Sequence, residues 1–308
     1  MQSRGKSPLR RAPTGGLSRA SSRTLLAFAV LAGIPGSTYA SPSGEHEDSR
    51  NADITSGPVA GRPLSWLTVE GSFDCPSAYI FRGYNIHDTG VQAQPSLTFS
   101  TDLVQGALTI TPSVGLWTNL TSQAFGHGRW KHCDELDLMG AVAFLTAGTS
   151  CQITYFSYSS PSHFAGRVTE LGVTLSREPT EETPRSASLC PHFGIFQELS
   201  DAETHNLGTY IEAGLEPRLD LAVADTSVVV SFPVTWGGGF NSYYTEAGGR
   251  STPGGYVAAG LRASYPLLGT LDLQGEVDLY HLISDSVREA NHGRTTLFVM
   301  ALGVGCSF

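Results

Sequence analysis

From position 64 onward, apolar and polar side chains alternate over segments of about ten residues, and no stretch sustains a helical period. The clearest segment is TLDLQGEVDLY, residues 270–280. Leu271, Leu273, Gly275, Val277 and Leu279 take one parity, and Asp272, Gln274, Glu276, Asp278 and Tyr280 take the other. In an extended strand successive side chains point to opposite faces, so this segment has one apolar face and one acidic face. The pattern recurs. Leu136, Leu138, Val142 and Phe144 oppose Glu135 and Asp137; Leu171, Val173 and Leu175 oppose Glu170 and Thr174; Ile211, Ala213, Leu215 and Leu219 oppose Glu212, Glu216 and Arg218. Clusters of Gly, Pro, Ser and Asn separate the segments, as turns require. The pattern predicts twelve strands, at about 65–84, 91–103, 107–119, 134–146, 149–159, 167–177, 187–197, 206–219, 225–236, 255–265, 269–283 and 294–308. The first is long and must bend or bulge at Cys75–Pro76, because proline has no amide hydrogen to give to a ladder.

A soluble sandwich strand alternates too. Repetition of the pattern, with acids on one face and no second apolar face to make a core, favours a single sheet closed on itself. In hydrocarbon every backbone donor and acceptor must be paired within the protein, which only helices and closed barrels achieve. The expected fold is therefore all-β, a single antiparallel transmembrane β-barrel of about 12 strands. The connectors agree. LVQG, TAGT and PLLGT are short; residues 121–133 and the glycine-rich segment after Trp236 are long, although 178–187 is long on the short side. If the chain starts in the periplasm, the long connectors lie outside the cell. Trp66, Tyr79, Phe81, Trp117, Trp130, Phe144, Tyr155, Phe156, Tyr243, Tyr244 and Tyr256 fall near strand ends or loops, where interfacial girdles would place them.

The first 40 residues differ in kind. Arg4, Lys6, Arg10, Arg11, Arg19 and Arg23 precede the apolar run TLLAFAVLAGI and the small-residue exit PGSTYA. That is the form of a secretory signal, and the run is too short to span a bilayer as a helix. Residues 1–40 are read as a signal peptide, 41–63 as a flexible leader and 64–308 as the barrel. Without residues 1–40, 13 basic side chains stand against 28 acidic ones. So negative a chain is no partner for nucleic acid. The expected location is the outer membrane, after export across the inner membrane. The five cysteines, at 75, 133, 151, 190 and 306, form no CxxC pair, and their number is odd, so no pairing is readable.

The chain ends LFVMALGVGCSF. Phe298, Met300, Leu302, Val304 and Cys306 share the parity of Phe308, and the opposite parity holds only Val299, Ala301, Gly303, Gly305 and Ser307. The bulky row faces lipid, and the small row suits a crowded interior where the last strand meets the first. Met300, Leu302, Val304 and the terminal Phe308 resemble the assembly signal of outer-membrane barrels, which implies the barrel-assembly machinery and outer-membrane lipid as partners.

The segment SAYIFRGYNIHDTGVQAQPSLTF, residues 77–99, resembles the opening of the TorF-type porin family, through Ser77, Tyr79, Phe81, Arg82, Gly83, Gln94 and Pro95. Further matches follow in order: Gly115, Trp117 and Asn119, then DELDL from Asp134, ITYFSYSSP to Pro161, and TELGVTLS. The likeness covers residues 64–176 and implies an outer-membrane barrel with a pore. The long leader, Cys75–Pro76 and the long loop at 237–254 depart from the family pattern.

If the alternation holds, the lumen contains Glu70, Arg82, Glu135, Asp137, Glu170, Glu212, Glu216, Arg218, Arg262, Asp272, Glu276 and Asp278, nine acids against three arginines. Such a lumen attracts cations and suits a porin-like passive channel for small solutes. Two other classes stay open. One is a non-conducting barrel whose loop at 237–254 binds a partner through Phe240, Tyr243 and Tyr244. The other is an outer-membrane lipid hydrolase built on His281 with Ser284 or Ser286, although nothing in the sequence orients that histidine and no G-x-S-x-G occurs. No phosphate loop or dinucleotide fingerprint is present, and no cofactor, metal or catalytic residue is expected.

Overall fold

A computed structural model describes residues 66–105, 107–123, 130–162, 166–177, 188–201, 207–223, 226–241, 243–244 and 252–308. The expected signal peptide and leader, and the connector at 178–187, lie outside the described residues. The elements are β1 (Thr68–Pro76), β2 (Tyr79–Phe81), β3 (Tyr84–His87), β4 (Gln92–Ser100), β5 (Leu103–Gln105), β6 (Leu108–Thr121), β7 (Cys133–Thr146), β8 (Thr149–Ser159), β9 (Val168–Arg177), β10 (Ser188–Asp201), β11 (Thr209–Val223), β12 (Thr226–Ser231), β13 (Val234–Phe240), β14 (Gly254–Leu268), β15 (Leu271–Leu282), α1 (Asp285–Ala290) and β16 (Thr296–Ser307).

All strands except β2 and β3 join one antiparallel sheet that closes on itself. Pairing runs β1–β4–β6–β7–β8–β9–β10–β11, then through β12 and β13 to β14–β15–β16 and back to β1. β12 and β13 form one stave, interrupted at Phe232–Pro233, where proline cannot donate. Phe232 N still donates to Pro217 O (2.9 Å), and Pro233 O accepts from Gly260 N (2.9 Å). β5 likewise extends the β4 stave along β6. The wall is thus a closed barrel of twelve staves.

The seam between β1 and β16 runs in unbroken register from Glu70 opposite Ser307 to Pro76 opposite Ala301. Beyond it, Val69 and Phe308 exchange both backbone hydrogen bonds, at 3.0 and 2.9 Å. Outside, Leu273, Leu279, Phe298, Met300 and Leu302 are exposed, as lipid contact demands. Inside, several wall glycines lie beneath a neighbour's side chain. A Cβ on Gly172 or Gly194 would strike the Phe196 ring, one on Gly237 the Tyr256 ring, and one on Gly303 the Asp74 carboxylate. The small row of β16 therefore makes room for inward side chains of the staves on either side of it.

Two expectations need correction. The first stave ends at Pro76, and the residues after it form a separate hairpin, β2–β3. Arg82 and Gly83 make its two-residue turn, both at positive φ (43° and 84°), the geometry that matches strand twist in tight hairpins. Gly83 is required twice over, since a Cβ there would also meet Tyr256 Cδ1 at 2.9 Å. Arg82 holds a left-handed conformation that disfavours a side chain. The second correction concerns the aromatics. Tyr79, Phe81, Phe156, Tyr244 and Tyr256 are buried together inside the barrel, with Trp117 packed against them, while Trp66, Trp130 and Tyr155 are exposed.

Gly303→Val should disrupt the seam, because its Cβ would also meet Phe73 O at 2.9 Å, and backbone cannot step aside. We expect a loss of about 1–3 kcal/mol, as for other overpacked sites. Gly275→Val, whose Cβ would meet only Leu302 Cδ2 at 3.6 Å on the lipid side, should be tolerated. The temperature at which the compact form is lost on an unheated-versus-heated gel separates the two; equal loss would contradict this packing.

Candidate functional site

The hairpin starts from the first stave and crosses to the opposite wall. Its tip residue Arg82 forms a bidentate pair with Glu170 on β9, Nη1 to Oε1 at 2.7 Å and Nη2 to Oε2 at 2.9 Å. Nη1 also donates to the Tyr243 hydroxyl (2.7 Å). Tyr158 on β8 donates to Glu170 Oε2 (3.0 Å). Around the guanidinium stand the rings of Tyr210 (4.0 Å to the centroid), Phe81 (4.7 Å), Phe196 (4.8 Å) and Tyr243 (5.6 Å). In a dry site a cation–ring contact contributes about 2 kcal/mol, and the forked ion pair adds direction. Arg82 and Glu170 are both buried, at 6% and 1% side-chain exposure. Burial and the Glu170 carboxylate pull the guanidinium in opposite directions, and the carboxylate prevails, raising its affinity for the proton.

The rest of the hairpin is fastened at several points. Tyr79 donates to Glu135 Oε2 on β7 (2.9 Å), and Tyr244 to the Arg82 carbonyl (2.9 Å). Asn291, just past α1, donates to Gly83 O (2.9 Å) and accepts from Asn85 N (2.8 Å). At the surface Arg294 donates to Asp88 (2.7 Å) and holds that carboxyl below the usual range. Together the hairpin and its aromatic bed fill the lumen at the end bearing the long connectors.

The sequence-derived candidates divide into two groups. Arg82, Glu135, Asp137, Glu170 and Glu212 are buried under or beside the hairpin. Arg82 stands on the inserted turn, not on the wall as the expected long first strand would have it. Toward the short-turn end the side chains are wetter and paired: Arg218 with Glu216 (3.2 Å), and Arg262 with Glu276 (3.2 Å) and Glu216 (3.8 Å). Asp278 lies beside Gly260, which leaves it space, and Glu70 and Asp272 sit nearest the short turns. Met300, Leu302 and Phe308 are exposed on the outer surface, with Val304 partly covered.

Three inward acids were absent from the candidates. Asp74 shares the parity of Glu70, which the sequence displays. Asp134 turns inward beside Glu135 because a bulge interrupts the β6–β7 register at Asn119/Leu120; Asn119 donates to both its oxygens at 2.9 and 3.0 Å. Glu198 lies one residue beyond the expected end of its strand and accepts from Gly208 N (2.6 Å). Both Asp137 oxygens and Glu135 Oε1 are buried with no donor group beside them; among the described residues the two carboxyls, at i and i+2 on β7, have only each other to hydrogen-bond, which requires that they share a proton.

The aromatic loop residues face inward. Tyr244 is fully buried and Tyr243 touches Arg82, which removes them as contacts for an external partner; Phe240 is exposed. Nor are the hydrolase candidates assembled. His281 lies on the outward parity and is exposed, whereas Ser284 is buried and caps α1 by accepting from Val287 N (3.3 Å). All five cysteines are unpaired.

No family model matches the chain, and no curated protein sequence does. Solved structures are similar in architecture. An outer-membrane channel of Pseudomonas putida F1 aligns with 83% of this chain and 100% of its own, at 11% identity and TM-score 0.48. The KdgM porin aligns with 78% of this chain and 99% of its own, at 8% identity and TM-score 0.42. Outer membrane phospholipase A of Escherichia coli aligns with 82% of this chain and 94% of its own, at 13% identity and TM-score 0.39. The chain is a closed antiparallel β-barrel of twelve staves with an aliphatic outer face. At such identities the likeness is one of fold, and it reaches no particular solute or reaction.

Glu170→Ala, which strands a buried guanidinium, should lower stability by about 3–5 kcal/mol, the cost of breaking a buried pair from one side. Arg294→Ala, which removes an exposed pair, should cost under about 1 kcal/mol. Thermal unfolding of the detergent-folded protein compares them; equal losses would show that the buried pair does not anchor the hairpin.

Proposed function

We propose that this barrel is a porin that passes small cationic solutes across the outer membrane, and that the hairpin-filled lumen is its closed state. The observation that carries the reading is the character of the wall beneath the hairpin. A permanently sealed barrel gains from an apolar filling, because buried polar groups without partners cost about 1–3 kcal/mol each, and charged ones more. Here Glu135 and Asp137 stand side by side on the wall as a buried carboxyl pair whose remaining oxygens have no donor but each other. Water admitted by withdrawal of the hairpin would satisfy them. The lumen then opened is acidic along its length, from Glu135, Asp137, Glu170 and Glu212 to Glu276, Asp272 and Glu70. Carboxylates in a confined low-dielectric passage draw cations and repel anions.

The likeness of residues 64–176 to TorF-type porins supports the same reading, and the Arg82–Gly83 turn lies inside that likeness. The alternative, a barrel that never conducts, is favoured by the number of polar contacts that hold the hairpin. A hydrolase is not favoured, since His281 and Ser284 face different surroundings.

Planar-bilayer recording decides between them. Replacing residues 79–87 with a short Gly-Ser linker should raise conductance well above that of the intact chain. Under a potassium chloride gradient the reversal potential should take the sign of cation preference. A hairpin-deleted barrel that is folded yet silent, or one that prefers anions, overturns the proposal.

A further inference from the structure

We propose that Arg82 is a tethered stand-in for the solute, and that the cage around it is a binding site for planar organic cations of the guanidinium class. This deepens the reading of the barrel as a route for cations by naming the class it selects.

The cage is built mainly by the wall. Tyr158, Glu170, Phe196 and Tyr210 come from four consecutive staves, β8 to β11, and Tyr243 closes it from a connector. Only Phe81 would leave with the hairpin. What remains is a buried carboxylate facing inward, with one phenol donating to it and aromatic faces on its flanks. With Arg82 in place that carboxylate is compensated by a cation, and once the tip is withdrawn the same position is open to another; its geometry says which kind. Glu170 meets Nη1 and Nη2 with one oxygen each, the parallel fork that a guanidinium matches and a spherical ion or ammonium does not. The Tyr210 ring lies 4.0 Å from the guanidinium carbon, close enough to stack against a flat cation.

The conformation of the tip points the same way. Arg82 adopts a φ of 43°, which an arginine does not choose in a free turn. The two-residue hairpin turn requires it, and the contacts from Tyr244 and Asn291 fix the tip where the Arg82 side chain reaches the cage. A soluble guanidinium that takes the cage would replace the ion pair that docks the tip, so the solute would open the route that it uses.

The test uses the mature chain folded in detergent, with methylguanidinium chloride as probe and sodium chloride at equal ionic strength as control. In Arg82→Ala, methylguanidinium should raise the unfolding midpoint saturably. Arg82→Ala/Glu170→Gln should show no such rise, and tetramethylammonium, which has no hydrogen to donate, should act more weakly on Arg82→Ala. In the unmodified chain the response should be smaller, because Arg82 competes. If Arg82→Ala does not fold unaided, its refolding yield against methylguanidinium reads the same equilibrium, and a flat yield overturns the proposal. A response equal to that of sodium chloride, or one that survives the Glu170→Gln change, also overturns it. Saturable rescue with a silent hairpin-deleted barrel keeps the cage and removes the porin reading, whereas conductance without rescue removes the cage alone.

Discussion

An amide or carbonyl in hydrocarbon has no water to turn to, so each must find its partner within the chain. In this protein the requirement is met by one joint, the pairing of β1 with β16. Without it twelve amphipathic staves would leave two raw edges, and an open sheet cannot sit in a bilayer. With it the aliphatic parity of every stave can face lipid, and the remaining parity is committed to a narrow interior.

That commitment explains the interior's composition. Large inward side chains lie over glycines of their own or the adjacent stave, which leaves the centre of the ring to the hairpin. Phe196 covers Gly172 and Gly194, Tyr256 covers Gly237, and Asp74 lies over Gly303. The β2–β3 hairpin exploits the same economy of space. It brings Arg82 from the first stave to a carboxylate on the far wall and fills the long-connector end with aromatic rings. Stability and occlusion are thus supplied by the same contacts, and any open state must give up those of Arg82, Tyr79 and Tyr244 together.

The wall was legible because its rule is simple. A period of two, with Leu on one parity and Glu or Asp on the other, needs no tertiary knowledge to read in β7, β9, β11 or β15. The hairpin was not legible from that rule, because SAYIFRGYNIH keeps the same period inside the lumen as it would on the wall. Two local signals were present: Pro76, which ends the ladder, and Arg82–Gly83, a two-residue turn with glycine where positive φ is needed. Parity also fails at a bulge, which is why Asp134 lies inward beside Glu135. The cage was beyond sequence reasoning altogether. It joins residues from β8, β9, β10 and β11 to a turn far away along the chain, and only the closed ring brings them together.

The seam is the place to test all of this. Val69 and Phe308 form a hydrogen-bonded pair, so Glu70 and Ser307 beside them are the closer, non-hydrogen-bonded kind, suited to a disulfide. A chain carrying Glu70→Cys and Ser307→Cys, with its five native cysteines replaced by serine, can be oxidised in isolated outer membranes. The account predicts a disulfide that joins the first stave to the last and speeds migration of the boiled, unreduced chain. Two thiols that stay free to alkylation in membrane-embedded protein, or a chain recovered from the soluble fraction, would contradict it.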